Sequence, residues 1–306
     1  MTPSTGLRVG TMATFPARFG IIREVVASIA PQLDRLYLYV NETTDGLPDL
    51  SDLGDVVVVD GRAAGGDLSA NGKIWPLRLM TDCQVFVLDD DFLFPPAYVA
   101  RTGAVLDAFD QRCCVTTHAS VLPAHTDWYY ERNVIWMSTR PLRHAHVANL
   151  AGSGTFAFHQ STLPLDAEAF FENIMVDLRL SLAARAADLP IWVLPRAEGW
   201  LRNLKTPGLF ALFTSGVVTH HSEEARRHDW SFDRYAPMVR AALDRLGDDA
   251  AARAVRASLD PDLVAALEEG RTPMAWAPSR LLLEKQAEYL DIVEEIRTRA
   301  PEEQAP

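Results

Sequence analysis

Apolar and polar positions follow two different periods along the first hundred residues. Leu7–Thr14 and Val85–Leu88 are near-continuous apolar runs, Arg35–Val40 (RLYLYV) alternates, and Val56–Val59 is a short β-branched run. Each predicts a strand, the continuous runs being of the kind covered on both faces. Between the first two strands, Phe19–Ala30 brings Ile22, Val25, Val26 and Ile29 onto one side of a 3.6-residue repeat, which predicts a helix. Part of Trp75–Met80 is expected to be helical too. Strand–helix–strand alternation with short connections predicts a mostly parallel sheet with helices on both faces, whose ligands sit outside the carboxyl ends of the strands.

The middle of the chain is less regular. Cys113–Thr117, Asn133–Met137, Thr155–His159 and Ile191–Leu194 have strand-like composition, and Val176–Ala187 has the pattern of an amphipathic helix. From about Met238 the composition shifts to Ala, Leu, Arg, Asp and Glu, punctuated by Pro261, Pro273 and Pro278. That shift predicts an α/β unit over 1–237 and a helical extension over 238–306. Ser279 can cap a last helix in which Leu282, Tyr289, Val293 and Ile296 recur on one face. The stripe either packs on its own chain or joins two copies in a homo-oligomer.

Charge and cysteine content narrow the function classes. The 306 residues carry 29 Lys and Arg against 41 Asp and Glu, a formal net charge of −12. Without a basic patch, that balance argues against nucleic-acid binding. Three cysteines without metal-ligand spacing read as buried small hydrophobes in a reducing compartment. No basic segment precedes a long apolar run at the N-terminus, and no stretch approaches ~18 apolar residues, so neither a signal peptide nor a transmembrane segment is expected. The expected location is the cytoplasm, with contact at the inner membrane face as the variant.

The sharpest chemical feature is Val85-Phe-Val-Leu-Asp89-Asp90-Asp91-Phe-Leu-Phe-Pro-Pro96. Three consecutive carboxylates ending a buried strand are costly without a counter-ion, since two like charges ~4 Å apart repel by about 1 kcal/mol even in bulk water. In extended backbone Asp89 and Asp91 point to one side and Asp90 to the other. The arrangement suits Mn2+ or Mg2+ held by one or two carboxylates and completed by water and substrate phosphates.

Around this trio the sequence resembles the inverting, GT-A-fold nucleotide-sugar glycosyltransferases of family two. The resemblance covers roughly residues 7–205. Met12-Ala-Thr14-Phe15-Pro16-Ala-Arg18 and, after a helix, Gln32 to Gly46 look like that family's opening β-α-β unit. Leu88-Asp-Asp-Asp91 resembles its aspartate metal motif, preceded by Asp67 and Gly72-Lys73. Gly152-Ser153-Gly154-Thr-Phe-Ala-Phe-His159 is similar to its glycine-containing segment near the donor sugar, and Met175-Val-Asp177-Leu to the position of its base. The family usually shows two acids there; this chain has Asp177, with Glu172 further back.

The resemblance implies a Rossmann-like GT-A sheet and transfer of a sugar from a nucleotide diphosphate, UDP by default, to a carbohydrate or small-molecule acceptor. Asp91 would hold the metal, and Asp89 would reach the ribose or assist the metal. Asp90 joins the nucleotide-binding set with Thr14, Phe15, Pro16, Arg18, Asn41, Glu42, Asp67 and Lys73. Asp177 is either the base or a helix cap. Trp200, Arg202 and Lys205 would meet donor or acceptor beside the glycine segment. His220 and His221, read as a strand, alternate sides, so one of them could complete the metal shell or both could lie in a loop. His144 and His146, in the basic stretch 140–146, could meet an anionic acceptor or face water. Two other readings compete: a sugar-nucleotide pyrophosphorylase and a non-catalytic nucleotide-sugar binding module. The first should carry a glycine-rich loop after its first strand, and Met12–Arg18 contains no glycine.

Overall fold

A computed structural model describes residues 6–127, 129–171, 174–204 and 218–277. The first four strands are β1 (Leu7–Thr14), β2 (Arg35–Val40), β3 (Val56–Asp60) and β4 (Cys83–Leu88), all mutually parallel. Helix α1 (Phe19–Ile29) links β1 to β2 and buries the predicted Ile22, Val25, Val26 and Ile29. A single helical turn, α2 (Gly61–Ala64), follows β3. The helix expected within Trp75–Met80 is instead a 3-10 turn, Trp75–Leu79, following another at Ser69–Lys73. Pro76, in the first turn of the second, has no N–H to donate back to the first, so the two turns do not join into one helix.

Beyond β4 come β5 (Phe92–Leu93), α3 (Tyr98–Ala108), β6 (Cys114–Thr116), β7 (Ala119–Val121) and β8 (Val134–Trp136). They are followed by β9 (His146–Ala148), β10 (Leu150–Ala151), β11 (Thr155–His159), α4 (Val176–Ala186), β12 (Ile191–Val193) and β13 (Arg202–Asn203). The main sheet has eight strands in the order β3-β2-β1-β4-β11-β6-β12-β9. Within it β11 and β9 run against the others, so the expected mostly parallel sheet is present. A three-stranded sheet, β10-β7-β8, and the pair β13-β5 stand apart from it. Helix α3 is absent from the sequence reading because Thr102-Gly103 interrupts its helical propensity just after Pro95-Pro96.

The C-terminal helices are Val218–Arg226, Phe232–Arg245, Ala250–Ser258 and Pro261–Glu269. The expected boundary at 237/238 falls inside the second of them, and one buried core runs from Val9 through Leu263 to Trp276. Asn133 Nδ2 donates to the Trp276 carbonyl at 2.7 Å, and Trp276 Nε1 to the Val147 carbonyl at 3.2 Å. The described helices after 237 therefore pack on the α/β core itself. The last helix expected from Ser279 lies outside the described residues. Among the described residues no helix is long and apolar enough to cross a membrane.

Candidate functional site

Strands β2 and β3 lie on one side of β1 and β4 lies on the other, so the winding of the sheet reverses between β1 and β4. At such a reversal the outgoing connections diverge and leave a crevice at the carboxyl ends. A cavity of about 540 Å3 opens there. Its walls include Arg18 after β1, Asp89, Asp90 and Asp91 after β4, and Lys73 from the 3-10 turn between them. Gly152, Ser153 and Gly154 before β11, Asp177 on α4, and His221 complete the expected residues found there.

The acid trio is paired with cations from neighbouring loops. Asp89 Oδ1 accepts from Lys73 Nζ, while its amide donates to the Gly154 carbonyl at 3.2 Å. A Cβ on residue 154 would lie 2.0 Å from Asp89 Oδ2, so only glycine lets the carboxylate take this position. Asp91 Oδ2 is 3.4 Å from Arg18 Nη1, and its carbonyl accepts from the Leu204 amide at 2.8 Å. Burial and the Asp89 charge raise the Asp91 pKa, against Arg18, Lys73 and a hydrogen bond from the Asn203 side chain. The extended backbone expected through the trio ends with β4: Asp90 and Asp91 form a turn, and Asp90 is buried beside Thr14, which the β1–β4 register (Met12 opposite Leu88) carries level with it. Burial pushes its pKa up to about 6, with the Thr14 hydroxyl and Arg18 pulling it back. Its Oδ2 is sealed from solvent without a hydrogen-bonding partner.

Lys73 is itself buried, its carbonyl held by the Thr11 hydroxyl at 2.6 Å. Burial works against its ammonium, yet the Asp89 contact, with Asp177 and Asp90 behind it, raises the pKa above the ordinary lysine value. Lys73 Nζ also lies 3.3 Å from Ser153 Oγ, and the Ser153 amide donates to Asp177 Oδ1 at 2.7 Å. A chain of polar contacts thus runs from Asp89 through Lys73 and Ser153 to Asp177. Asp177 stands in the first turn of α4, but its carboxylate reaches Ser153, and the helix N-cap, Met175, offers no side-chain cap. Of the two readings of Asp177, the helix cap is therefore not what its side chain does.

Several expected residues are elsewhere. Asn41 braces the loops: Nδ2 donates to the Thr14 and Ser69 carbonyls, and Oδ1 accepts from the Leu68 amide at 2.9 Å. Asp67 caps the Ser69 amide, and Glu42 occupies a left-handed turn position with φ 61°. Thr14 is buried beneath Asp90; with Phe15, Pro16, Asn41, Glu42 and Asp67 it stays out of the cavity wall. Trp200 packs on Tyr98 and under Arg101, and Arg202 is exposed on β13, where the β13–β5 ladder clamps the backbone beyond Asp91. Lys205 lies outside the described residues.

His220 and His221 lie on the helix Val218–Arg226 rather than on a strand, so about 100° separates them. His221 is buried with its ring 4.8 Å from the Tyr129 ring. His220 is exposed 3.9 Å from Glu223 and lines a different cavity, which removes it from the metal set. In the stretch 140–146, His146 stacks on Trp136 and sits 3.8 Å from Asp260, a structural brace far from an acceptor role.

The sequence reading missed the opposite wall of the cavity: His118, Tyr129, Tyr130 and Arg132. They belong to the excursion between β6 and β8, whose irregular pattern carries no period; Tyr129-Tyr130-Glu131-Arg132 is the one cluster in it that composition alone could have flagged. His118 is held by the Thr155 hydroxyl, which accepts from its amide at 3.2 Å. Burial lowers its imidazole pKa despite the nearby Asp177 and Asp89 charges.

The divalent cation implied by the resemblance can be tested against these walls. Among the described residues no three Asp, Glu, His or Cys side chains converge as a metal cage. What the cavity offers is the carboxylates of Asp89 and Asp91, on either side of the turn residue Asp90, whose Oδ2 is sealed away from it. That donor set fits an ion taking one or two carboxylates and completing its shell with phosphate oxygens and water; it does not fit a closed all-protein site. Comparison of the sequence with protein-family models and with curated proteins finds no match.

Proposed function

We propose that this chain is a cation-dependent glycosyltransferase that moves a sugar from a nucleotide diphosphate, UDP by default, to an acceptor hydroxyl. One observation carries the reading: Asp177, a carboxylate able to take a proton, shares a cavity at the β1/β4 reversal with the Asp89–Asp91 segment and the buried Lys73. Asp91 and Asp89 would hold the cation. When bound, such an ion neutralises charge developing on the leaving diphosphate. Lys73, kept protonated by its acidic surroundings, supplies a fixed second positive charge to that group, and Arg18 a third. Gly154 and Ser153 form the floor against which the sugar rests, and the Ser153 amide fixes the Asp177 carboxylate in place. Asp177 takes the acceptor proton as the new bond forms.

Melting the protein with UDP, GDP, CDP and dTDP sugars, with and without Mn2+, tests this. A donor at about a hundred times its dissociation constant adds ~2.7 kcal/mol, a shift of several degrees in a chain of this size. Asp91→Ala should lose the Mn2+-dependent part of that shift. Asp177→Asn should keep the shift and lose at least ~100-fold in transfer, since it removes a proton acceptor of ordinary catalytic weight. If no nucleotide sugar moves the melting point, or if Asp91→Ala binds like the parent, the reading is wrong.

A further inference from the structure

His118 lines the cavity at a crossing between two sheets. The chain leaves the main sheet after β6 and enters the three-stranded sheet at β7, passing through His118; it returns from β10 to β11 through Gly152–Gly154. The two crossings are tied to each other. The His118 carbonyl accepts from the Gly152 amide at 2.7 Å and from the Thr116 hydroxyl at 2.9 Å. Its amide donates to the hydroxyl oxygens of Thr116 and Thr155, each at 3.2 Å, and both threonines are fully buried. A Cβ on residue 152 would lie 2.5 Å from His118 Cδ2 and 3.0 Å from Cγ, so the ring rests directly on glycine backbone.

Backbone and ring are thus fixed without spending the polar atoms of the ring. Among the described residues no hydrogen bond within the protein uses either ring nitrogen, and neither is sealed from solvent as Asp90 Oδ2 is. A rigidly held imidazole with both nitrogens unspent in a cavity wall is equipped to bond a ligand.

We propose that His118 holds a ring hydroxyl of the sugar being transferred, so that the donor must keep a free hydroxyl at that position. The proposal rests on the transferase reading. Transfer places the sugar between the leaving diphosphate and the acceptor hydroxyl, hence between the first end of the cavity, at Asp89–Asp91 and Lys73, and Asp177. His118 is within electrostatic reach of both Asp177 and Asp89, and it stands on the same Gly152–Gly154 floor. Burial, helped by the Arg196 and Arg132 charges, lowers its pKa and favours the neutral ring. A neutral imidazole has one N–H and one bare nitrogen, so it can give a hydrogen bond or take one, as a sugar hydroxyl can. A site built to bond a hydroxyl rejects the analogue lacking it, because its own polar atom is then left unpaired.

The test titrates full-length protein in Mn2+ with UDP, UDP-glucose, UDP-galactose and UDP-N-acetylglucosamine by calorimetry, and repeats this with two variants. His118→Phe keeps a flat ring without its nitrogens. It should weaken the sugar nucleotide that the parent binds most tightly at least ~5-fold while UDP stays within about twofold. His118→Gln keeps a donor and an acceptor and should return that sugar nucleotide to within about threefold of the parent. If His118→Phe does not fold, His118→Ala takes its place with the same expected loss. Deoxy forms of that sugar nucleotide, one position at a time, should reveal one hydroxyl whose removal costs the parent at least ~5-fold, a penalty that disappears in the variant without the imidazole. A loss of UDP affinity equal to that of the sugar nucleotide, or no deoxy penalty that depends on His118, would overturn the proposal and leave the transferase reading in place. Failure of UDP and all three sugar nucleotides to bind the parent would overturn the transferase reading and this proposal with it.

Discussion

Asp90 differs from the acids on either side of it. The turn that follows β4 leaves Asp89 and Asp91 where Lys73 and Arg18 meet them and buries Asp90 beside Thr14. Its pKa of about 6 lies above the 3.8 of an ordinary aspartate, burial being the main cause. The folded state therefore holds the Asp90 proton more tightly than the unfolded chain does. The cost of ionising it is absent below about pH 4, grows as pH rises to 6, and is complete above that. Converting the shift gives up to about 3 kcal/mol at neutral pH. Asp90→Asn is accordingly expected to raise urea-unfolding stability by about 2–3 kcal/mol at pH 7.5 and to leave it nearly unchanged at pH 4. An equal effect at both pH values would mean that charge burial is not the cost. A carboxylate retained where an amide is the more stable choice is the pattern of a working residue, since perturbed acids gather where chemistry is done.

At the scale of elements, Trp276 is the clearest fastening between the C-terminal helices and the α/β core. Its ring lies 5.1 Å from Phe232 and 5.3 Å from Tyr235, and its indole N–H is used by Val147. Trp276→Ala should cost about 3–5 kcal/mol. Because the core continues across residue 237, fluorescence and circular dichroism should report one coincident transition in the parent protein; two separate transitions would mean that 1–237 and 238–306 unfold as separate units. The longer strands of the main sheet are legible in the sequence: β1, β2 and β11 have the bounds expected, β3 runs one residue further and β4 begins two residues earlier. Two- and three-residue strands such as β5, β10 and β13 are too short to display a period, and α3 hides behind Thr102-Gly103. Thr219-His220-His221-Ser222-Glu223 is polar throughout, so nothing in it separates a helix from a strand. The first end of the cavity was legible because Asp89–Asp91 and Gly152–Gly154 are local strings set against strand ends. Its other end was not, because Tyr129, Tyr130 and Arg132 reach the cavity only through the packing of an irregular excursion.

For the molecule as a whole, buried imidazoles set the response to acid. His118 lies in the cavity wall, His146 sits between Trp136 and Asp260, and His159 closes β11 with Nδ1 2.7 Å from Ser161 Oγ. Burial lowers the pKa of all three below 6.5, with nearby carboxylates opposing it only in part. The sign follows from where the proton goes. Below pH 6.5 the unfolded chain takes up protons at these positions while the folded protein resists, so the stability they contribute is full above 6.5 and is lost as pH falls through the folded values. Each can contribute a slope of up to about 1.36 kcal/mol per pH unit. Asp90, taking a proton near pH 6, and Asp91, raised in the same direction, oppose them. Because one core spans both ends of the described chain, the loss should appear as a single transition moving to lower urea between pH 7.5 and 5.5. His159→Gln, placed away from the cavity, should flatten that slope by roughly one histidine's share. A midpoint that holds steady or rises on acidification would mean that these rings accept protons in the folded state as readily as in the unfolded chain.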